Sequence, residues 1–153
     1  MRTVRHRTRI LVVALGLLAA LGIAGCGGTK QPTALLQFYP PTVTPAVGLS
    51  DTVYNTTANT FTISWLVFNA DPEGATVYNV PWAVTRDGIP NAFTGTITAV
   101  PNHGWAPASF TVTEPVGVHI YQILIDPNGT IPQSSRDGAV TTLWVTVFPV
   151  GTG

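Results

Sequence analysis

One cysteine in 153 residues excludes a disulfide within the chain. Charge is nearly as scarce, since Asp, Glu, Lys and Arg together make up 9% of the residues. No G-x-S-x-G elbow, no H-E-x-x-H zinc signature and no glycine-rich phosphate loop occurs. No catalytic residue is assigned, and the chain is read as a non-enzyme. After residue 26 no apolar pattern persists at helical spacing and no internal repeat stands out. The histidines in that part, His103 and His119, have no cysteine partner and no carboxylate at a recognisable ligand spacing, so no metal site is assigned.

The amino-terminal end is where charge and apolar residues concentrate. Met1 to Arg9 carries Arg2, Arg5, Arg7 and Arg9, and the sixteen residues from Ile10 to Gly25 carry no charge. A basic stretch followed by an apolar one is the pattern of an export signal. At 1.5 Å per residue a helix over those residues reaches roughly 24 Å, short of the ~30 Å hydrocarbon core, which favours removal over permanent spanning. The single cysteine lies just beyond. Ile23, Ala24, Gly25 and Cys26 resemble the lipobox of bacterial lipoprotein signal peptides, an aliphatic and two small residues before a cysteine. The resemblance implies a lipid on the Cys26 sulfur, cleavage before it, and a covalent lipid in place of any cofactor. Two or more acyl chains, at about 0.8 kcal/mol per buried CH₂, make a stable membrane anchor. Gly27 follows where aspartate would signal inner-membrane retention in enteric bacteria, so the outer membrane or cell surface is the expected location.

With residues 1–25 removed as a signal peptide, three basic residues (Lys30, Arg86, Arg136) face seven acidic ones, a net charge of −4. That balance gives nucleic acid no electrostatic footing. Thr, Val, Pro and Gly are plentiful and Lys, Glu and Leu scarce, a composition for strands and turns. Residues 26–48, with Pro32, Pro40, Pro41 and Pro45, read either as a Pro/Thr-rich tether or, over 34–39, as an edge strand. Residues 49–150 hold the body of the domain. Phe61, Ile63, Trp65 and Val67 alternate with polar residues in the clearest strand, 59–69. Further strands are expected over 76–88, 92–100, 109–113, 116–126 and 139–149. Asp-Pro-Glu-Gly at 71–74 and Asp87-Gly88 supply turns. Six runs plus the edge strand make about seven, the count of an all-β, immunoglobulin-like β-sandwich.

Residues 34 or 49 to 147 resemble a CARDB-type domain, a cell-adhesion-related, Ig-like module of bacterial and archaeal envelope proteins. The resemblance rests on the strand ending in Asn69, Arg86-Asp87-Gly88, Gly117-Val118-His119, and above all ILIDPNGTIPQSS at 123–135 before a valine-rich strand. Asp126, Pro127, Ile131 and Ser134 fit the family's pattern. Gln133 stands where glutamate is usual, Arg136 where an acid is common, and Gly138-Ala139 where paired asparagines fall. The resemblance implies an Ig-like fold and a role in adhesion or protein binding.

Two loops are the candidate binding regions, 101–107 with His103 and Trp105, and 126–138 with Asp126, Asn128 and Gln133. A calcium site on Asp126, Asn128 and Asp137 offers few carboxylates to an ion that wants six to eight oxygens. Asp126 and Asn128 are instead expected to bond their own backbone and shape the turn. A glycan site would need exposed indoles. Trp65 and Trp82 lie on apolar strand faces, the inward face of the Trp144 strand is left open, and Trp105 alone is expected in the open, so this reading ranks low. Glu114, beside Pro115 at a strand end, is expected to be solvated. The leading reading is a non-catalytic, lipid-anchored envelope module that binds a protein partner through strand edges or loops, with the membrane contact made by the lipid. The alternative is a structural spacer or a subunit docked in an envelope assembly, which the mean hydropathy of +0.31 favours only weakly because the signal inflates it.

Overall fold

The computed structural model describes residues 33–50 and 53–150. Ile23, Ala24, Gly25 and Cys26, with the rest of residues 1–32, lie outside the described residues. The described chain forms nine strands: β1 (Leu36–Thr44), β2 (Gly48–Ser50), β3 (Val53–Thr56), β4 (Thr60–Asn69), β5 (Val77–Arg86), β6 (Ile89–Val100), β7 (Trp105–Thr113), β8 (Gly117–Ile125) and β9 (Val140–Val147). They make an all-β sandwich of a three-stranded sheet, β1-β4-β7, and a six-stranded sheet, β2-β3-β9-β8-β5-β6. Neighbours run antiparallel except β3, which lies parallel to β9.

The period-two pattern decides which side of each strand is buried. Phe61, Ile63, Trp65 and Val67 of β4 meet Val80, Trp82 and Val84 of β5, Tyr121, Ile123 and Ile125 of β8, and Leu143, Val145 and Val147 of β9 in one core. Each such side chain contributes about 1.5–3 kcal/mol relative to exposure. Trp65 stands edge-on to Trp82, with ring centroids 5.1 Å apart at 90°. Trp82 in turn lies over Gly95 of β6, where an added Cβ would come within 2.3 Å of its ring. Glycine at 95 is therefore a requirement of the indole above it.

Four expectations change. The strand count is nine, because the short hairpin β2–β3 extends the large sheet past β9. Leu36–Thr44 is a strand paired to β4, longer than the 34–39 edge strand considered from the sequence. Its Pro40-Pro41 pair sits in the register shift between Tyr39 and Thr42, where a missing N–H breaks no ladder. The strand after Asp87-Gly88 starts at Ile89, since both turn residues take positive φ (49° and 82°) and close a two-residue hairpin between Arg86 and Ile89. Trp105–Pro107 belongs to β7, paired with Phe68, Val67 and Leu66, so the loop before it is only Pro101–Gly104. The inward face of β9 is also settled: Leu143, Val145 and Val147 are buried, and Trp144 points outward, half-buried.

The outer face of the small sheet has an unusual composition. Strands β1, β4 and β7 contain no charged residue. Register places Thr44, Thr62 and Thr111 in one row across the sheet and Thr42, Ser64 and Ser109 in the next. Thr60 and Thr113 extend the array, and two cross-strand hydroxyl pairs close at 2.9 Å (Thr60–Thr113) and 2.8 Å (Thr62–Thr111). Beyond these rows the same face turns apolar, with Tyr39, Leu66 and Pro107 opposite one another and Phe68 paired to Trp105.

Candidate functional site

The β8–β9 loop is built around one carboxylate. Asp126 directly follows β8 in the left-handed region (φ 47°), and Gly129 N–H closes the turn on its carbonyl at 3.0 Å. Its side chain is fully buried. Oδ1 accepts from Thr130 N–H and Thr130 O–H, both at 2.8 Å. Oδ2 accepts from Ile131 N–H at 3.1 Å, from Gln133 Nε2 at 3.4 Å and from the Arg136 guanidinium, which also donates to the Asp126 carbonyl at 3.0 Å. Burial by itself would raise the pKa of this group. The donors from Ile131, Thr130 and Arg136 outweigh it and hold the carboxyl below its usual range.

This geometry sorts the candidates. Asp126 bonds the backbone of its own loop, as expected, and gathers Gln133 and Arg136 around it. Asn128 does not share that role; it is exposed at the tip, apart from the cluster. Asp137 is exposed as well, with its N–H on Ser135 Oγ at 3.0 Å. Among the described residues no group of three or more His, Cys, Asp or Glu side chains is arranged to hold a metal ion.

His103 is exposed in a tight turn, with φ 50° and its N–H on the Asn69 carbonyl at 3.0 Å. Trp105 follows on β7, 49% exposed, packed at a tilt against Phe68 (4.5 Å, 32°) and nearly perpendicular to Tyr39 (5.7 Å, 84°). The two candidate loops meet the same segment of chain. Buried Asn69 accepts Leu35 N–H at 3.2 Å and lies beside the 101–104 turn, while Ala34 exchanges backbone bonds with Pro132 and Ser134 of the other loop. The start of β1 therefore ties both loops to one end of the sandwich.

The opposite end holds a polar cluster missed from the sequence. Glu114 is not solvated, being 3% exposed, because the β7–β8 connection turns it inward to accept Tyr121 O–H at 2.7 Å. Arg86 Nη1 lies 3.5 Å from the same oxygen, and His119 Nδ1 lies 3.7 Å from the other. His119 is in β8, as expected, and contacts two acceptors: Asp87 Oδ2 at 3.0 Å through Nδ1 and the Pro115 carbonyl at 3.0 Å through Nε2. Neither partner can donate, so the geometry favours the form of the ring in which both nitrogens carry protons. Burial opposes that charge, but the bonds to Asp87 and Pro115 and the field of Glu114 and Asp87 raise the affinity of His119 for its second proton. For Asp87 burial acts upward on the pKa, and the bonds from His119 and from Ile120 N–H bring it below the usual value. Tyr121 is pushed well above the ordinary phenol range, first by burial and then by Glu114. The one sequence signal was phase: His119 and Tyr121 share the inward face of β8, and buried polar tips need partners.

With His119 protonated, two positive and two negative groups leave this cluster nearly neutral. It fastens the β5–β6 turn and the end of β7 to β8.

No protein-family model matches the chain, and no curated protein matches it. Solved structures do. A crystal structure of a CARDB domain from Pyrococcus furiosus, in complex with di-metal ions, superposes with a TM-score of 0.58 at 14% identity, covering 76% of this chain and 90% of that one. A solution structure of the same domain gives 0.56 at 15%, over 76% and 96%. Residues 272–376 of a Methanosarcina acetivorans protein described as a cell surface protein give 0.53 at 16%, over 78% and 97%. Identities this low speak for architecture alone, and on that ground the described residues of this chain have the fold of a CARDB domain.

Proposed function

We propose that the chain is a non-catalytic envelope module, anchored by a lipid on Cys26, that binds another envelope component through the β1-side loops and the outer face of the small sheet. The observation that carries the location is the junction at residues 23–26, where the uncharged segment ends in Ile-Ala-Gly before the single cysteine. The cell-surface description of a structural neighbour supports the same location. The fold bears on how binding occurs. Of the four edge strands, β1, β6 and β7 carry Pro40-Pro41, Pro90 and Pro107, which have no N–H to offer an incoming strand, and the fourth, β2, is only three residues long. Loops and sheet faces are thus better suited to a partner than edge pairing, the mode considered alongside loops from the sequence.

A second reading, a subunit docked in an assembly, has one observation in its favour. On the outer face of the large sheet Val118 and Ile120 are exposed, and Ile120 lies opposite half-buried Trp144. Such a row fits burial against a neighbour.

The test is fractionation with mass spectrometry of the mature amino terminus. A diacylated Cys26 on membrane material, and release from the membrane in Cys26→Ser, are the expected results. An intact Met1 on cytosolic protein would overturn the proposal. Native co-purification that recovers a stoichiometric neighbour bound across Val118 and Ile120 would favour the docked subunit instead.

A further inference from the structure

The outer face of the β1-β4-β7 sheet combines two features. One half is a grid of serine and threonine hydroxyls without a charge, and the other is an aromatic cluster in which Phe68 packs on the indole of Trp105 and Tyr39 stands nearly perpendicular to it. Trp105 and Tyr39 are 49% and 55% exposed. Between the halves lies a shallow depression of about 370 Å³, bordered by Tyr39, Pro40, Ser64, Leu66 and Pro107. We infer that this face binds a neutral polysaccharide, with sugar ring faces stacked on Trp105 and Tyr39 and sugar hydroxyls bonded to the threonine rows.

The chemistry selects the ligand class. A hydroxyl both donates and accepts. In each paired threonine couple one O–H is used between the partners, which leaves one O–H and several lone pairs per couple directed outward. That two-way surface matches a polyol better than a carboxylate, a phosphate or a base edge. A bilayer-binding face would add Lys or Arg to its aromatics, and β1, β4 and β7 have none. A protein interface would centre on a continuous apolar core with charge excluded to its rim, whereas here hydroxyl rows fill half of the face. The sequence placed Trp105 in a loop as an isolated indole; its pairing with Phe68 in β7 is what turns it into part of a cluster.

This inference rests on the reading of the chain as an envelope module only for where the polysaccharide is met. Its test is independent of lipidation, so a negative result leaves the Cys26→Ser result standing. The full chain, kept in a detergent without a sugar headgroup, is run by affinity electrophoresis through gels containing soluble neutral β-glucan, hydroxyethylcellulose or xylan, and is pulled down on insoluble cellulose and chitin. Retention by at least one neutral polysaccharide is expected. Trp105→Ala and Tyr39→Ala should each weaken it at least tenfold, and Tyr78→Ala, an exposed aromatic on β5, should leave it unchanged. Should Trp105→Ala fail to fold by circular dichroism, the Thr62→Val/Thr111→Val pair decides, since valine keeps the shape and strand preference and removes only the hydroxyls; a several-fold loss is expected. The inference is overturned if no neutral polysaccharide is retained, if only charged ones are, or if retention survives both the aromatic and the valine variants. It is equally overturned if Trp105→Ala alters self-association or binding to phosphatidylcholine vesicles while polysaccharide retention persists.

Discussion

Replacing Asp126 by alanine removes in one step the acceptor for two backbone N–H groups, a hydroxyl, an amide and a guanidinium. The two backbone donors, Thr130 and Ile131, have bonds to a charged acceptor, each with a net contribution of about 1.5–3 kcal/mol. Loss of both amounts to roughly 3–6 kcal/mol. Position 126 has φ 47°, which asparagine tolerates and alanine does not, adding about 1 kcal/mol for Asp126→Ala alone. Arg136 reduces the total little, because its guanidinium is partly exposed and returns to water. The expected loss is thus about 5 kcal/mol, between a third and the whole of the roughly 5–15 kcal/mol that stabilises an ordinary domain. Urea denaturation followed by tryptophan fluorescence would show it as a lower midpoint at unchanged slope, and thermal denaturation as a fall of roughly 15–20 °C. Asp126→Asn should lose less, since one carbonyl oxygen and the backbone conformation are retained. A loss below about 1 kcal/mol in Asp126→Ala would refute the view that this carboxylate organises the β8–β9 loop.

Two further outcomes follow from the packing. His119 binds its second proton more tightly when folded, so it stabilises the fold fully below the unfolded imidazole value near 6.5 and ceases to do so as pH rises through its higher folded value. Asp87 acts in the opposite direction, stabilising above its unfolded value near 3.8 and ceasing as pH falls through its lower folded one. Stability should therefore decline on both sides of a mildly acidic plateau, and His119→Gln should flatten the alkaline decline; an unchanged alkaline limb in that variant would remove the imidazolium from the account. Gly95→Ala forces a methyl into the Trp82 ring and should cost about 1–3 kcal/mol by overpacking, read by calorimetry, whereas Gly88→Ala, with open space around its Cβ but φ 82°, should be limited to the strain of its backbone. Equal stability of Gly95→Ala and the parent would mean that the indole is not seated on β6.

Strands with strict alternation were readable because burial on one face leaves a period-two trace, as in Phe61 to Val67 of β4. The hairpin β2–β3 left no such trace. Val53–Thr56 is four residues long and becomes a strand by lying along β9, a partner almost a hundred residues away. Trp105 looked like loop because His103-Gly104 precede it and Pro107 follows; its strand character comes from pairing with Phe68, which local sequence does not encode. The role of Asp126 was legible, because aspartate before Pro-Asn-Gly is a turn former whatever surrounds it. That Arg136 would supply the counter-charge was not, since a loop can fold back on itself in many ways. Glu114 was misread for a related reason: a strand-end acid followed by proline is ordinarily solvated, and the groups that draw it inward, Tyr121, Arg86 and His119, come from two other strands.

The guanidinium on Asp126 has a bearing on the setting in which such a domain must work. A positive charge carried by the chain itself is present at a fixed stoichiometry, cannot be diluted out of its place and is indifferent to chelators. The β8–β9 loop thus draws its counter-charge from its own sequence, and stripping divalent ions from the solution should leave its conformation as it is.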